Sequence, residues 1–340
     1  MEHQQNAVTA TDLDLEAILE VAQKAALIAG AEIRKRWFTH NANREFNNIT
    51  DSEIGLKSSH TDLVTETDKK CENLIIQYLQ KHISDHEIIG EESHVEKSTL
   101  SADPLSHNKT YELTDRPTWT IDPIDGTTNF VHRLKLSCVL ISFLSNKSVL
   151  VGVTYDPLAD ELFYATKGKG AFLKTGNQLS TPNNDVSFES VYPIKVSETR
   201  TIPKAVISLD PGYERDQFSV NEFLSIQKSI LLKGARNIRI LGSTGLNMAF
   251  VACGRLDAAF EEGSWDRDKE RGPKIWDFAA GKLLVEEAGG VTRDIEKNQE
   301  NKYVDGSSKN ELDLMGRSFF CASKTQLADE IINCVKKNKV

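Results

Sequence analysis

Apolar and small residues recur at three- and four-residue spacing from Leu15 through Ile18, Leu19, Ala22, Ala26 and Ala29 to Ile33, which predicts an amphipathic helix capped by Thr11 or Asp12. Cys71, Leu74, Ile75, Tyr78 and Leu79 share one face of a second helix, entered through Thr65-Glu66-Thr67-Asp68. The polar interval from His40 to Ser59 reads as a loop or a weak hairpin. His86 to Gly90 is a short buried strand running into Glu91-Glu92-Ser93, and Trp119-Thr120-Ile121 is a β-type run that stops at Asp122. Strand-like runs then follow at Leu136 to Leu144, Val149 to Tyr155, Glu161 to Ala165 and Ala171 to Leu173. Asp156-Pro157 and Gly168 to Gly170 supply the turns, so an antiparallel meander is expected.

In the second half the two periodicities mix. Strands are expected at Val191 to Val196, Ala205 to Leu209 and Leu256 to Phe260. Helices are expected near Phe223 to Leu232, Leu246 to Ala252, Phe278 to Ala288 and Thr325 to Val335, with Gly254 and Gly289-Gly290 as stops. Strict β-α alternation is missing, so stacked layers fit better than a doubly wound sheet. Residues 1–11 read as a disordered tail. Residues 12–338 read as one fold, with a first lobe to about 190 and a second from about 191. The aperiodic stretch 94–116 reads as a long surface insertion.

Composition narrows the classes. The chain has 340 residues, 39% hydrophobic and 27% charged, as ordinary globular proteins do. A formal net charge of −9 speaks against nucleic acid as a partner, but not against an anionic substrate held through metal ions. The five cysteines are scattered, form no CxxC pair, and sit mostly in apolar segments, as reduced buried thiols do. No run is long enough to cross a membrane, and the N-terminus has no apolar signal core, so a cytoplasmic location is expected with no membrane partner.

The candidate chemistry is concentrated in Asp122-Pro123-Ile124-Asp125-Gly126-Thr127-Thr128-Asn129-Phe130. Pro123 fixes its own φ and holds Asp122 extended, and Gly126 permits close backbone approach to a ligand. Carboxylates collect hard cations, and free amides at a helix start collect phosphate oxygens. Acidic or small polar residues also end or begin predicted elements at Lys57-Ser58-Ser59 with Asp62 and Asp68, at Glu91-Glu92-Ser93, at Gly242-Ser243-Thr244 and at Trp276-Asp277. Taken singly, Glu91-Glu92 is more often solvated surface, and Asp277 more often a helix cap.

In unbroken order from about residue 15 to 325, these segments resemble the inositol monophosphatase family. Its signatures are matched by Trp119 with Asp122 to Phe130, by Trp276 to Gly281 with Glu287-Ala288-Gly289-Gly290, by Lys57 to Asp68 and by Gly90 to Ser93. The resemblance implies an α/β fold of layered αβαβα type, commonly homodimeric. It also implies a Mg²⁺-dependent, lithium-sensitive phosphomonoesterase, with two or three ions per site, acting in inositol metabolism and phosphatidylinositol signalling. Glu91, Asp122 and the carbonyl of Ile124 would hold the first ion, and Asp122, Asp125 and Asp277 the second. Asp68 and Thr128, with Glu91 close by, would orient and deprotonate the attacking water. Gly126 and Thr127 amides would contact the phosphate. Asp125, Ser243, Thr244, Glu261 and Asp277 would border a small phosphorylated polyol.

Two segments depart from the family pattern. One is 94–116. The other is the insertion 264–275, which contains a decoy, Trp265-Asp266; Asp277 is preferred as the ligand because Gly272-Pro273 would break any helix begun at Asp266. The wording Lys274-Ile275-Trp276-Asp277 also looks like the bisphosphate nucleotidases, so a 3′(2′),5′-bisphosphate nucleotidase is the alternative substrate class, and a catalytically silent regulatory homologue the alternative from another class. The ending Thr127-Thr128-Asn129-Phe130-Val131-His132 favours the inositol branch.

Overall fold

The computed structural model describes residues 13–38, 54–57, 63–83, 85–93, 111–176, 188–262, 272–295 and 311–337. The expected tail at 1–11, Asp62, residues 94–110 and the decoy Trp265-Asp266 lie outside these described residues, as does most of the interval from His40 to Ser59.

Helix α1 (Leu15–Phe38) buries Ile18, Ala22, Ala26, Ala29 and Ile33, the face its spacing predicts. Strand β1 (Ile54–Leu56) pairs antiparallel with β2 (Leu63–Thr65), a strand that lies beyond the polar interval from His40 to Ser59. Helix α2 (Glu66–His82) follows directly. Thr65 is its N-cap, accepting from the Thr67 N–H, and the Asp68 carboxylate accepts from the Thr65 N–H. The first sheet then runs β3 (Glu87–Gly90), β4 (Thr118–Asp125), β5 (Cys138–Ser145), β6 (Ser148–Asp156), β7 (Glu161–Thr166), β8 (Gly170–Gly176) and β9 (Phe188–Pro193), seven strands in sequence order. β3 and β4 are parallel, and every later pair is antiparallel, as the meander reading expects. A short helix, α3 (Thr127–Val131), connects β4 to β5.

The second sheet has the order β11-β10-β12-β14-β13, built from β10 (Val206–Asp210), β11 (Asn237–Arg239), β12 (Ala258–Glu261), β13 (Val291–Arg293) and β14 (Phe319–Ala322). Its first three strands in space are parallel to one another, and β14 is antiparallel to both of its neighbours. The helices are α4 (Gln217–Leu232), α5 (Thr244–Ala252), α6 (Ile275–Glu287) and α7 (Thr325–Lys337).

Three hydrophobic cores give the layers. Ile33 and Ile75 from α1 and α2 pack on Trp119, Phe143 and Tyr155 of the first sheet. Met248 and Phe278 from α5 and α6 fill the space between the sheets against Phe163 and Phe319. Ile226 and Ile331 from α4 and α7 cover the outer face of the second sheet at Ile207 and Phe260. The result is the αβαβα sandwich. Strands β11, β13 and β14 are additions to the predicted elements, and β9 lies earlier than Val191 to Val196. α4 begins at Gln217, where the Asp216 carboxylate caps it, rather than near Phe223.

Candidate active site

On a regular strand, residues three apart point to opposite faces. Asp122 and Asp125 of β4 do not, because the ladder with β5 slips between them: Asp122 pairs with Leu140 and Asp125 with Cys138. Three steps on one strand therefore answer two on the other, which is a β-bulge. Pro123, which has no N–H, sits inside the slip, and the Ile124 N–H turns onto Asp122 Oδ1 at 3.0 Å. The extra residue brings both carboxylates to one side. Gly126 follows at φ 83°, where a Cβ would lie 2.7 Å from the Leu136 carbonyl and 3.1 Å from that of Gly242. The chain then enters α3, whose first N–H groups have no intrahelical acceptor.

Neighbouring elements complete the cluster. β3 runs parallel to β4 with Gly90 opposite Ile121, so Glu91 emerges beside Asp122. A glycine is required at 90 because the Glu72 carboxylate fills the space of a Cβ there and caps the turn by accepting from the N–H groups of Glu92 and Ser93. Lys57 donates to Glu91 Oε1 at 2.8 Å and to Glu92 Oε1 at 2.5 Å. Asp277 comes from the first turn of α6, where its Oδ2 accepts the Lys274 N–H at 2.5 Å. Atoms of Asp122, Asp125 and Asp277 lie within 4.8 Å of one another. Glu91 stands beside this trio, close enough to Asp122 for the two carboxyls to shift each other.

The second sheet supplies the opposite wall. Its parallel strands β10, β11 and β12 all end at the same cavity, where ligands collect in open parallel sheets. β10 leads to Asp210, Gly212, Tyr213 and Arg215, β11 to Ile240, Gly242, Ser243 and Thr244, and β12 to Glu261. The cavity measures about 240 Å³ and also takes in Glu91, Asp122, Ile124, Asp125, Gly126, Thr127, Thr128 and Asp277.

So many carboxyls in one place perturb one another. Burial pushes Asp277 up to about 8, with the charges of Glu91 and Asp125 adding to it. Burial raises Asp122 well above the carboxylate range, helped by Glu91, Asp125 and Asp277, and raises Glu261 in the same way, helped by Asp210, Asp277 and Asp125. Burial lifts Asp125 only to about 6, because Ser243 and the N–H groups of Gly245 and Thr244 stabilise its charge. Burial takes Asp68 to about 6 against the pull of Lys57 and Thr65. Burial and Glu91 raise Glu92 to about 8. For Glu91 burial is outweighed by the Lys57 ammonium, and the group is lowered. A site this rich in destabilised negative charge favours a bound cation.

All the expected site residues except Asp68 line the cavity. Asp68 reaches it through a hydroxyl, and that hydroxyl corrects one expectation. The partner of Asp68 is Thr127, not Thr128: Thr127 Oγ1 lies 3.2 Å from Asp68 Oδ1 and 3.1 Å from the Ile124 carbonyl. Gly126 in the left-handed conformation turns the first helical side chain toward α2 and leaves Thr128 on the cavity wall. Ser243, expected at the polyol, has its hydroxyl on Asp125 Oδ2 at 2.5 Å and accepts from the Leu246 N–H as the cap of α5. Lys57, Asp210, Tyr213 and Arg215 join the site beyond the residues expected there: Lys57 belongs to the motif from Lys57 to Asp68, and the other three follow the strand expected to end at Leu209. The five cysteines are free thiols, four of them buried, with Cys253 half-buried. No helix of the described residues is long and apolar enough to cross a membrane.

The sequence profile of the Inositol monophosphatase family matches residues 14–339. Inositol monophosphatase 1 of Solanum lycopersicum is 38% identical over 280 residues, covering 82% of this chain and 85% of that protein. Inositol monophosphatase 1 of Homo sapiens is 34% identical over 278 residues, covering 82% and 83%. Among solved structures, the Thermotoga maritima IMPase superimposes with a TM-score of 0.66 at 25% identity, covering 95% of this chain and 98% of that one.

Proposed function

The chain belongs to the inositol monophosphatase family, and we propose that it is a Mg²⁺-dependent phosphomonoesterase that hydrolyses inositol monophosphate to inositol and phosphate. The observation that carries this reading is the convergence of Asp122, Asp125 and Asp277 beside Glu91 in one cavity with an open helix start. The donor set fits the ion: carboxylates and a carbonyl are hard oxygen ligands. The Cys138 thiol, 3.4 Å from Asp125 Oδ2, is kept protonated by burial and does not compete.

Glu91, Asp122 and the Ile124 carbonyl would hold one ion, and Asp122, Asp125 and Asp277 another, with room in the family pattern for a third. Bound there, Mg²⁺ supplies charge neutralisation on the phosphate and lowers the pKa of a water molecule. The chain's own groups do the rest. Thr127 Oγ1 lines the cavity and would accept a proton from the attacking water as it donates its own to Asp68 Oδ1, where a carboxyl near 6 can hold it at neutral pH. The N–H groups at the start of α3 receive the phosphate oxygens. Glu261 and the strand ends of the second sheet accept hydrogen bonds from the hydroxyls of the alcohol. Family membership extends the reading to a homodimer, to lithium sensitivity, and to a cytoplasmic role in inositol metabolism and phosphatidylinositol signalling.

The test is phosphate release from a panel of small phosphomonoesters, with Mg²⁺ and with chelator. Inositol monophosphate is expected to be cleaved only with metal. A preference above about tenfold for adenosine 3′,5′-bisphosphate, about 1.4 kcal/mol of transition-state discrimination, would move the protein to the nucleotidases. No metal-dependent release from any ester would make it a silent homologue.

A further inference from the structure

Asp125 is held from the other sheet, and the parts that hold it form a staple. Its carboxylate accepts from three donors at the start of α5: Ser243 Oγ at 2.5 Å and the Gly245 N–H at 2.7 Å on Oδ2, and the Thr244 N–H at 3.2 Å on Oδ1. The first turn of α5 must therefore stay at a fixed place relative to β4, although its chain arrives from β11 in the second sheet. Two buried side chains fix it there. Asn129 of α3, four residues after Asp125, points its amide nitrogen at the carbonyls of Leu241 at 2.7 Å, Leu136 at 2.8 Å and Gly242 at 3.1 Å. From the far side, Asp210 at the end of β10 accepts from the Gly242 N–H at 2.9 Å and from Asn247 Nδ2 of α5 at 2.5 Å. Leu241-Gly242 is thus gripped between the two sheets, one residue before Ser243.

We propose that Asn129 is a positioning residue for the metal ligand Asp125: by clamping Leu241-Gly242 it sets the donors of α5 that aim the carboxylate. The inference rests on the reading of Asp125 as a ligand. The side-chain amides of Asn129 and Asn247 bond to Leu136, Leu241, Gly242 and Asp210 and not to the Asp125 carboxylate, so each acts on it through the loop it holds. Outer groups that orient a ligand carry about 10- to 100-fold of metal affinity in other sites. Three carbonyls converging on one amide nitrogen also leave no neutral substitute at 129 without a donor able to satisfy them.

The experiment is calorimetric titration of the full chain with Mn²⁺, together with melting curves in chelator and steady-state kinetics across Mg²⁺ concentration. For Asn129→Ala the expected result is Mn²⁺ affinity weakened about tenfold or more, with kcat recovered to within a few-fold of the parent once Mg²⁺ saturates. Asn247→Ala, which loosens the loop from the other side, is expected to weaken affinity in the same direction. If Asn129→Ala does not fold, Asn247→Ala decides by the same measure. A folded Asn129→Ala that binds Mn²⁺ within about twofold of the parent, while Asp125→Asn loses binding, overturns the staple and leaves the ligand assignment standing. If Asp125→Asn also binds like the parent, the assignment of Asp125 falls, and the staple with it.

Discussion

Replacing Asp277 by Asn is expected to stabilise the metal-free protein while abolishing its turnover. The Asp277 carboxyl is lifted to about 8 in the fold, against about 4 in an unfolded chain. For an acid raised in this way, the favourable contribution is complete below pH 4 and is lost as pH climbs through about 8. At pH 8 the ceiling on that loss is about 5 kcal/mol, four pKa units at 1.36 kcal/mol each. Glu91 and Asp125 share the repulsion and relax when one charge goes, so about 1–3 kcal/mol is the expected gain, or roughly 2–5 °C in a chain of this size. Asn keeps an oxygen for the Lys274 N–H, so the start of α6 loses nothing. Thermal melts of parent and variant in chelator at pH 4.5, 6 and 8 check this. The variant should melt higher at pH 8, and the two should converge at pH 4.5. Saturating Mg²⁺ should then reverse the order, because only the parent has all its ligands. A variant that melts below the parent at pH 8 in chelator, or a difference that ignores pH, would refute the reasoning.

Thr127→Val should lower kcat by about 100-fold, because Asp68 loses its hydroxyl link to the cavity, and the loss should exceed that of Thr128→Val under the same assay. Gly126→Ala should cost about 2–4 kcal/mol by urea denaturation, since a φ of 83° is strained for alanine and the new methyl meets two backbone carbonyls that cannot step aside. Lys57→Met should destabilise the metal-free protein by about 3–5 kcal/mol, because Glu91 and Glu92 lose their shared buried partner; added Mg²⁺ should restore part of it, measured by the same denaturation.

The helices and the meander were legible because their faces are patterned: Ile18 to Ile33 repeats at helical period, and Cys138 to Thr166 falls into apolar strands between clear turns. β11, β13 and β14 were not, since three- and four-residue strands carry too few positions to show a period. The carboxylates of the site were found through their motifs. Which threonine meets Asp68 was not legible, because it depends on the left-handed turn at Gly126, and a sequence shows a glycine without showing how it is used. The grip of Lys57 on Glu91 and Glu92 was also hidden, as it joins positions 34 and 35 residues apart.

The slip in the β4–β5 ladder makes the spacing of Asp122 and Asp125 a counted quantity. Were Pro123 or Ile124 deleted, the ladder would close up, and every residue beyond the deletion would keep its pairing only by giving up the extra step. Asp125 would then sit two positions from Asp122 on the same face of a flat strand, with nothing to bend the backbone toward the start of α3. Side chains at the bulge are therefore open to replacement in a way that its length is not. Residue number between the two carboxylates is the trait under constraint here.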